Sequence, residues 1–166
     1  MQTICRMIQL SPADAASLVQ DHALLAARAQ AATIYGDVYR YWHAIEYLLD
    51  QHSPGSAGAR WLAIGAEVAP ATAGVPSSRV LTNAQVPEVS RDLSQVEPED
   101  LAVHYDAAAM DVARVYPGTW REWEESFDPL GQVLEHYSFL QEATQQCADA
   151  GNAMLFHFEL LAEGTV

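Results

Sequence analysis

The longest pattern of hydrophobic and polar positions lies between Pro129 and Gly151. Apolar residues recur there every three or four positions, the spacing of a helix with one buried face. Asp128-Pro129 is a favourable helix start and Gly151 a natural stop, so one long helix is predicted. Phe139 lies on the opposite side and needs a separate contact, within the fold or with a partner. The buried face consists of Leu130, Val133, Leu134, Tyr137, Leu140, Thr144, Cys147 and Ala148.

Two segments near the ends of the chain have strand patterns. Residues 3–10 are mostly β-branched or apolar, and residues 153–161 alternate between an apolar face and a face that carries His157 and Glu159. A lone buried strand would leave its backbone groups unpaired, so both strands are expected in one small sheet, mixed or antiparallel. The apolar face of the second strand consists of Met154, Phe156, Phe158 and Leu160.

A second amphipathic helix is predicted over Val38–Gln51, with Asp37 placed to cap it. Its apolar positions form a stripe that faces the core, and Trp42 is expected to be buried in that core. The stripe consists of Val38, Tyr41, Trp42, Ile45, Leu48 and Leu49.

The segments around this helix are shorter. Ser11-Pro12 starts a helix that reaches about Asp21, and another short helix is predicted over residues 22–32. Residues 60–66 form either a buried strand or a short helix, because their hydrophobic period is ambiguous. Residues 69–78 are rich in proline, glycine and serine, which predicts a loop.

Two further helix starts follow. Thr82 and Gln85 can form a capping box, and Pro87 should kink the helix or delay its start. Glu97-Pro98 opens the next helix, which is expected to reach about Ala109. Together the elements predict a single compact α+β domain in which several helices pack on the sheet.

Short motifs occur along the chain in a distinctive order: Trp42-His43, Leu48-Leu49, Arg79-Val80-Leu81-Thr82, Tyr116-Pro117 with Trp120 shortly after, and Gly151-Asn152 before the last strand. In this order they resemble the YfbM-like family of small uncharacterised bacterial proteins (domain of unknown function 1877). The resemblance covers nearly the whole chain and implies one YfbM-like domain over residues 1–166. The family has no assigned reaction, so the resemblance implies no catalytic residue.

The chain is acidic and its charge is unevenly distributed. Its net charge of −14 comes from 8 arginines and 22 acidic residues, without a single lysine. Residues 1–60 hold four arginines and five acids, a net of −1, whereas the rest holds four arginines and seventeen acids, a net of −13. Such a field repels nucleic acids and anionic membranes, so neither is expected as a partner. It favours a basic protein partner, although acidity also promotes solubility.

The sequence predicts a cytoplasmic protein. Polar residues interrupt the apolar positions of residues 1–10, so no signal peptide is expected, and residues 61–75 are too short to span a bilayer. Cys5 and Cys147 are too few for a zinc site built on paired cysteines and are expected to be buried, reduced thiols. No cofactor or metal is predicted, and the oligomeric state is left open.

The strongest candidate for chemistry is a polar stripe beside the apolar face of the predicted Val38–Gln51 helix. The stripe consists of Tyr39, His43, Glu46 and Asp50. His43 and Glu46 are the candidate catalytic residues, because imidazole and carboxylate at this spacing can bind one metal or act as a base with its orienting acid. Either role needs a third polar group from a second element, for which Glu135 or His136 is the natural supplier. The alternative is an ordinary solvated helix flank.

The candidate binding residues are Trp120, Trp123, Glu124 and Glu125. Aromatic side chains within an acidic rim are typical of interfaces with basic partners. The same pattern also fits a helix start that packs its apolar side on its own core.

Other motifs are less informative. His157 and Glu159 either converge on a site across the sheet or form a half-exposed polar pair. Residues 54–58 lack the lysine and spacing of a phosphate-binding loop, and the sequence has no Gly-x-Ser-x-Gly.

Three functions remain open. The leading interpretation is an acidic, non-enzymatic protein-binding domain of inhibitor or immunity type. The first alternative is a small metal-dependent or hydrolase-like enzyme that uses His43 and Glu46. The second is a small-molecule binding module.

Overall fold

Five strands form one antiparallel sheet in the computed structural model, which describes residues 2–31 and 34–161. The strands are β1 (Gln2–Leu10), β2 (Ile34–Tyr39), β3 (Ala66–Ala69), β4 (Ser78–Leu81) and β5 (Ala153–Leu161). Their order across the sheet is β2-β1-β5-β4-β3. The predicted pairing of the two terminal strands is confirmed, since β1 and β5 pair from Gln2 opposite Leu161 to Leu10 opposite Ala153.

Helices cover both faces of this sheet. They are α1 (Pro12–Gln20), α2 (Leu25–Ala31), α3 (Trp42–His52), α4 (Val86–Leu93), α5 (Pro98–Ala102), α6 (Ala107–Val112), α7 (Trp120–Glu124) and α8 (Pro129–Asp149), and a 3-10 turn at His22–Leu24 precedes α2. Successive strand residues point to opposite faces. Helices α1 and α2 therefore pack on Ile8 and Leu155, and the larger helical layer packs on Met7 and Phe156. The predicted single compact α+β domain is confirmed. No helix in the described part of the chain is long and apolar enough to cross a membrane.

The long predicted helix is confirmed as α8. Asp128 caps it by accepting the backbone N–H of Gly131 at 2.9 Å. The predicted face is buried at Val133, Tyr137, Leu140, Thr144 and Cys147. The separate contact predicted for Phe139 lies within the fold, because its ring packs against Gly36 in β2.

The predicted Val38–Gln51 helix begins too early. Residues up to Tyr39 pair with β1 and belong to strand β2, and α3 begins only at Trp42. The predicted cap at Asp37 is therefore wrong, because Asp37 lies opposite Arg6 in the sheet. The apolar spacing from Val38 onward fits a strand followed by a turn as well as it fits a helix. Trp42 is buried as predicted, with 7 % of its surface exposed.

Three other boundaries differ from prediction. Of residues 60–66, the first six form turns and bends and Ala66 begins β3, and β4 lies where no strand was predicted. The helix predicted to reach Ala109 breaks in two, because Asp106 caps α6 by accepting the N–H of Ala109 at 2.9 Å. Leu160 is 49 % exposed, although the alternation placed it on the apolar face. The predicted helix end at Ala32 lies outside the described residues.

Candidate functional site

His43 lies in the first turn of α3, where its ring stacks on the neighbouring Trp42 with centroids 5.1 Å apart. Its Nδ1 atom accepts a hydrogen bond from the backbone N–H of Tyr116 at 2.9 Å. Burial lowers the pKa of His43. Because Nδ1 accepts, the proton of the neutral ring lies on Nε2.

Glu46 shares a cleft of about 300 Å³ with His43. Burial, with a contribution from the nearby charge of Asp50, raises the pKa of Glu46 to about 7. A carboxyl group that titrates near neutrality beside a neutral imidazole is common in acid–base sites. The cleft is lined by His43, Glu46, Tyr47, Asp50, Ala59, Arg60 and Ala63. Three members of the predicted stripe therefore lie together, whereas Tyr39 belongs to β2.

The third polar group required for chemistry does not come from α8. The His136 ring packs against Tyr41, with centroids 4.7 Å apart, and both Glu135 and His136 line a different cavity. In the described part of the chain, no carboxylate oxygen lies within 4.0 Å of a His43 ring nitrogen. The described residues also contain no group of three or more histidine, cysteine or acidic side chains placed to hold a metal. Arg60 is the charged side chain that another segment contributes to the cleft.

A second polar network joins three strands on the opposite face of the sheet. The Ser78 hydroxyl lies 3.1 Å from Nδ1 of His157, and Nε2 of His157 lies 3.5 Å from Oε1 of Glu159. Glu159 also pairs with Arg6 at 3.3 Å. Burial lowers the pKa of His157; the charge of Glu159 opposes this change and that of Arg6 adds to it.

This serine–histidine–glutamate chain is structural. Ser78 is only 2 % exposed, and its hydroxyl already accepts the backbone N–H of Phe158 at 3.1 Å. A catalytic nucleophile must be accessible to its substrate, and the buried Ser78 hydroxyl is not. The sequence left open whether His157 and Glu159 converge on a site or form a half-exposed polar pair, and it gave no sign of Ser78 and Arg6, because only strand pairing brings them there.

Trp120 belongs to the core. Its side chain is completely buried, and its indole N–H donates to the carbonyl oxygen of Val115 at 2.9 Å. Asp111 accepts the backbone N–H of Trp120 at 2.8 Å and thereby caps α7. These contacts leave no surface of Trp120 accessible to a partner. Trp120 is therefore not a binding residue, contrary to the prediction.

Trp123 is half-buried and holds the side chain of Arg40. The guanidinium carbon of Arg40 lies 4.1 Å from the Trp123 ring centroid and 5.6 Å from those of Tyr39 and Tyr41. The Arg40 Nε atom has no hydrogen-bond partner among the described residues. Cation–π attraction to three rings is thus the main contact of this arginine.

Exposed acids flank Trp123 in the sequence and form what we call the acidic face: Glu122, Glu124, Glu125 and Asp128. Within the described ranges, none of the four has an ion-pair partner, and Arg121 pairs with Asp111 at 3.1 Å instead. Phe127, 37 % exposed, adds an apolar surface beside Trp123, with ring centroids 5.3 Å apart. The predicted acidic rim is therefore on the surface, around Trp123 and Phe127.

A groove between β2 and α8 lies on the other side of the same aromatic cluster, and we call it the β2–α8 groove. Its volume is about 500 Å³, and it is lined by Gly36, Asp37, Glu135, His136, Ser138, Phe139 and Glu142. Tyr41 connects the two regions, because its ring lies 4.7 Å from that of His136 and 6.3 Å from that of Trp123.

Comparison with known proteins gives a family without an assigned activity. The family model described as a domain of unknown function (DUF1877) matches residues 1–157. The chain belongs to this family. The DUF1877 fold is also seen in the crystal structure of YfbM from Escherichia coli, a protein of unknown function. That structure matches with a TM-score of 0.72 and 11% sequence identity over 92% of this chain and 98% of the YfbM chain. No curated protein matches the sequence.

Proposed function

We propose that this chain is a protein-binding domain, without catalysis of its own, whose acidic face binds a basic segment of another protein. The observation that carries the proposal is the arrangement around Trp123. Four exposed acids without ion-pair partners among the described residues flank Trp123 in the sequence, and Arg40, whose guanidinium lies over the Trp123 ring, is held by aromatic contacts.

The arrangement combines two contributions to binding. Unpaired carboxylates attract a basic partner over a distance and increase its association rate. The half-buried Trp123 and the exposed edge of Phe127 offer apolar area for the stems of arginine or lysine side chains. Ion pairs formed on this exposed face stay partly hydrated, so their desolvation cost is small and each pair adds a modest amount to the affinity.

A defined peptide tests this function. We expect an arginine-rich peptide to bind at low salt and its citrulline analogue, which lacks the charge, to bind much more weakly. The double variant Glu124→Gln/Glu125→Gln should weaken binding about tenfold, as removal of two close charge pairs does. Isothermal titration calorimetry at several salt concentrations gives the affinity and its salt dependence.

The matched control is Glu88→Gln/Glu99→Gln, which removes the same charge from exposed positions in α4 and α5. We expect this control to bind the arginine-rich peptide nearly as well as the wild type. Equal weakening by both double variants would show general attraction to an acidic protein and would overturn the proposed face. Absence of binding at low salt would also overturn it.

The cleft at His43 supports a second candidate, a site for a small carboxylate ligand. His43, Glu46 and Arg60 line one cleft, and each has a possible donor: the Nε2–H of the neutral His43 ring, the guanidinium of Arg60, and the carboxyl of Glu46, with a pKa of about 7, when protonated. Thermal-shift measurements with a panel of small carboxylic acids test it. A rise in melting temperature that disappears in Arg60→Met would support this site, and no rise with any acid would reject it.

A further inference from the structure

Strand β2 lies at one edge of the sheet, where β1 is its only neighbour among the strands of the described residues. In that part of the chain, one side of its backbone is therefore not paired with another strand. Helix α8 packs against this edge strand, because the Phe139 ring lies where a side chain of Gly36 would be, and residues of β2 and α8 line one groove. An open strand edge beside a helix is the arrangement in which several domain types bind an extended peptide as an additional strand.

The charges of the β2–α8 groove are of one sign. Asp37 comes from β2 itself, and Glu135 and Glu142 come from α8. None of these three carboxylates has an ion-pair partner in the described part of the chain; Glu135 and Glu142 accept hydrogen bonds only from neighbouring glutamine amides. The rings of His136 and Phe139 line the same groove.

We propose that the β2–α8 groove binds an extended basic segment of the partner protein by adding it to β2 as a sixth strand. The inference rests on the protein-binding function proposed above and gives it a binding mode and a partner chemistry. Ile34–Tyr39 has six residues, so the added segment covers about 20 Å at the usual rise of a strand.

Charge complementarity selects a basic segment over a second copy of this chain. Two β2 edges pairing with each other would bring two Asp37 side chains and two acidic grooves together in a protein of net charge −14. Like charges placed opposite each other destabilise strand pairing. A partner with arginine or lysine at every second position directs those side chains toward Glu135, Glu142 and the aromatic rings, because alternate strand residues share one face.

Backbone methylation separates strand addition from simple charge attraction. The probe is a capped peptide of about seven residues that alternates arginine and threonine, the length of one strand. Its control has the same sequence with alternate backbone amides N-methylated on the edge that would pair with β2. We expect methylation to weaken binding about tenfold, since it removes several backbone hydrogen bonds. Amide hydrogen exchange of residues 36–39, followed by NMR, should slow when the unmethylated peptide binds.

The groove carboxylates are tested by Glu135→Gln/Glu142→Gln, with Glu88→Gln/Glu99→Gln as the control of equal charge. All four positions are exposed, so these variants are expected to fold. We expect the groove variant to weaken binding of the unmethylated peptide about tenfold and the control to change it little.

The outcomes distinguish this inference from the function on which it rests. If methylation has no effect while Glu124→Gln/Glu125→Gln still weakens binding, strand addition is wrong and the acidic face remains the binding surface. If neither acidic pair matters more than the control, both proposals fail. If slow exchange at residues 36–39 depends on protein concentration and the peptide does not compete, a second copy occupies the edge and the inference is overturned.

Discussion

Nδ1 of His43 accepts the backbone N–H of Tyr116 at 2.9 Å, although the two residues are 73 positions apart in sequence. Beside this bond the Tyr116 ring stacks on Trp42, with centroids 5.5 Å apart. The hydrogen bond thus ties α3 to the turn at Tyr116-Pro117 and satisfies a partly buried backbone donor, as folding requires. His43, the leading candidate for chemistry, has a structural role that its sequence position does not reveal.

Replacing His43 should make the stability of the protein less dependent on pH. Burial lowers the pKa of His43 in the folded state, so the unfolded chain binds a proton more readily. The stability of the wild type therefore falls as the pH drops below about 6.5, the ordinary value for histidine. His43→Ala should cost about 1–3 kcal/mol at pH 8, where the Tyr116 donor is left without its acceptor.

Urea unfolding of the wild type, His43→Ala and His43→Gln at pH 8 and at a pH below 6.5 checks this prediction. His43→Gln is the control, since its amide oxygen can replace the acceptor without titrating. A difference between wild type and His43→Gln that is the same at both pH values would show that His43 is solvated.

Glu46 should have the opposite pH dependence. Its pKa is raised from 4.5 to about 7, first by burial and then by the charge of Asp50. The folded state therefore binds the Glu46 proton more tightly than the unfolded chain does. The contribution of this proton to the free energy of unfolding is fully present below pH 4.5 and is lost as the pH rises through about 7. Glu46→Gln should be more stable than wild type above neutral pH by on the order of 1 kcal/mol, a figure reduced for partial exposure.

The same unfolding experiment at acidic and alkaline pH tests Glu46→Gln. Asp50→Asn is the control and should give a smaller gain in the same direction, because it removes only the second cause. If Glu46→Gln is no more stable than the wild type at alkaline pH, burial does not raise the pKa of Glu46 and the prediction is wrong.

The elements that could be predicted from sequence are those in which the start signal, the hydrophobic period and the stop signal all indicate the same type of structure. In α8, the cap at Asp128 and the stop at Gly151 bracket a sustained hydrophobic period, and β5 has an unambiguous alternation. Val38–Tyr41 has no such agreement, since its spacing fits a helix and a strand equally. Only pairing with β1, which is remote in sequence, decides that Val38 and Tyr39 are strand.

The candidate site was predictable only within one element. Periodicity placed His43, Glu46 and Asp50 in one stripe of a helix, but it could not show that this stripe lines a cleft with Arg60 or that His43 accepts the backbone N–H of Tyr116. The burial of Trp120, likewise, depends on how α7 docks through Asp111. Which elements face one another is a property of the packed fold, and neighbouring residue types do not encode it.

Gly36 and Phe139 should be strongly coupled. Gly36 has φ +142, and a Cβ at this position would collide with the Phe139 ring. Gly36→Ala should therefore cost about 2–4 kcal/mol, the combined effect of backbone strain and overpacking. In a Phe139→Ala background the collision is absent and only the strain remains, so the cost should fall by at least about 1 kcal/mol.

A double-mutant cycle measured by chemical unfolding gives this coupling directly. Gly55→Ala is the control, because Gly55 also has a positive φ of 78 but no atom lies within 4 Å of its added Cβ. It should show strain alone, with no dependence on Phe139. Additive costs for Gly36→Ala and Phe139→Ala would mean that the ring does not rest on β2.

Arg40→Met connects the aromatic cluster to binding. Methionine keeps an apolar stem but removes the cation that lies 4.1 Å from the Trp123 ring centroid, so stability should fall by about 1 kcal/mol. The same change removes a positive charge beside Trp123 at the acidic face, and an arginine-rich peptide should then bind more tightly, mainly through faster association. Arg91→Met is the control, because it changes the net charge equally at a position whose side chain is 64% exposed. It should change both the stability and the peptide association rate less than Arg40→Met does.

Unfolding curves and stopped-flow association rates measure the two effects. Weaker peptide binding by Arg40→Met would mean that Arg40 positions Trp123 for the partner, and equal effects of both variants would mean that the face around Trp123 has no special role.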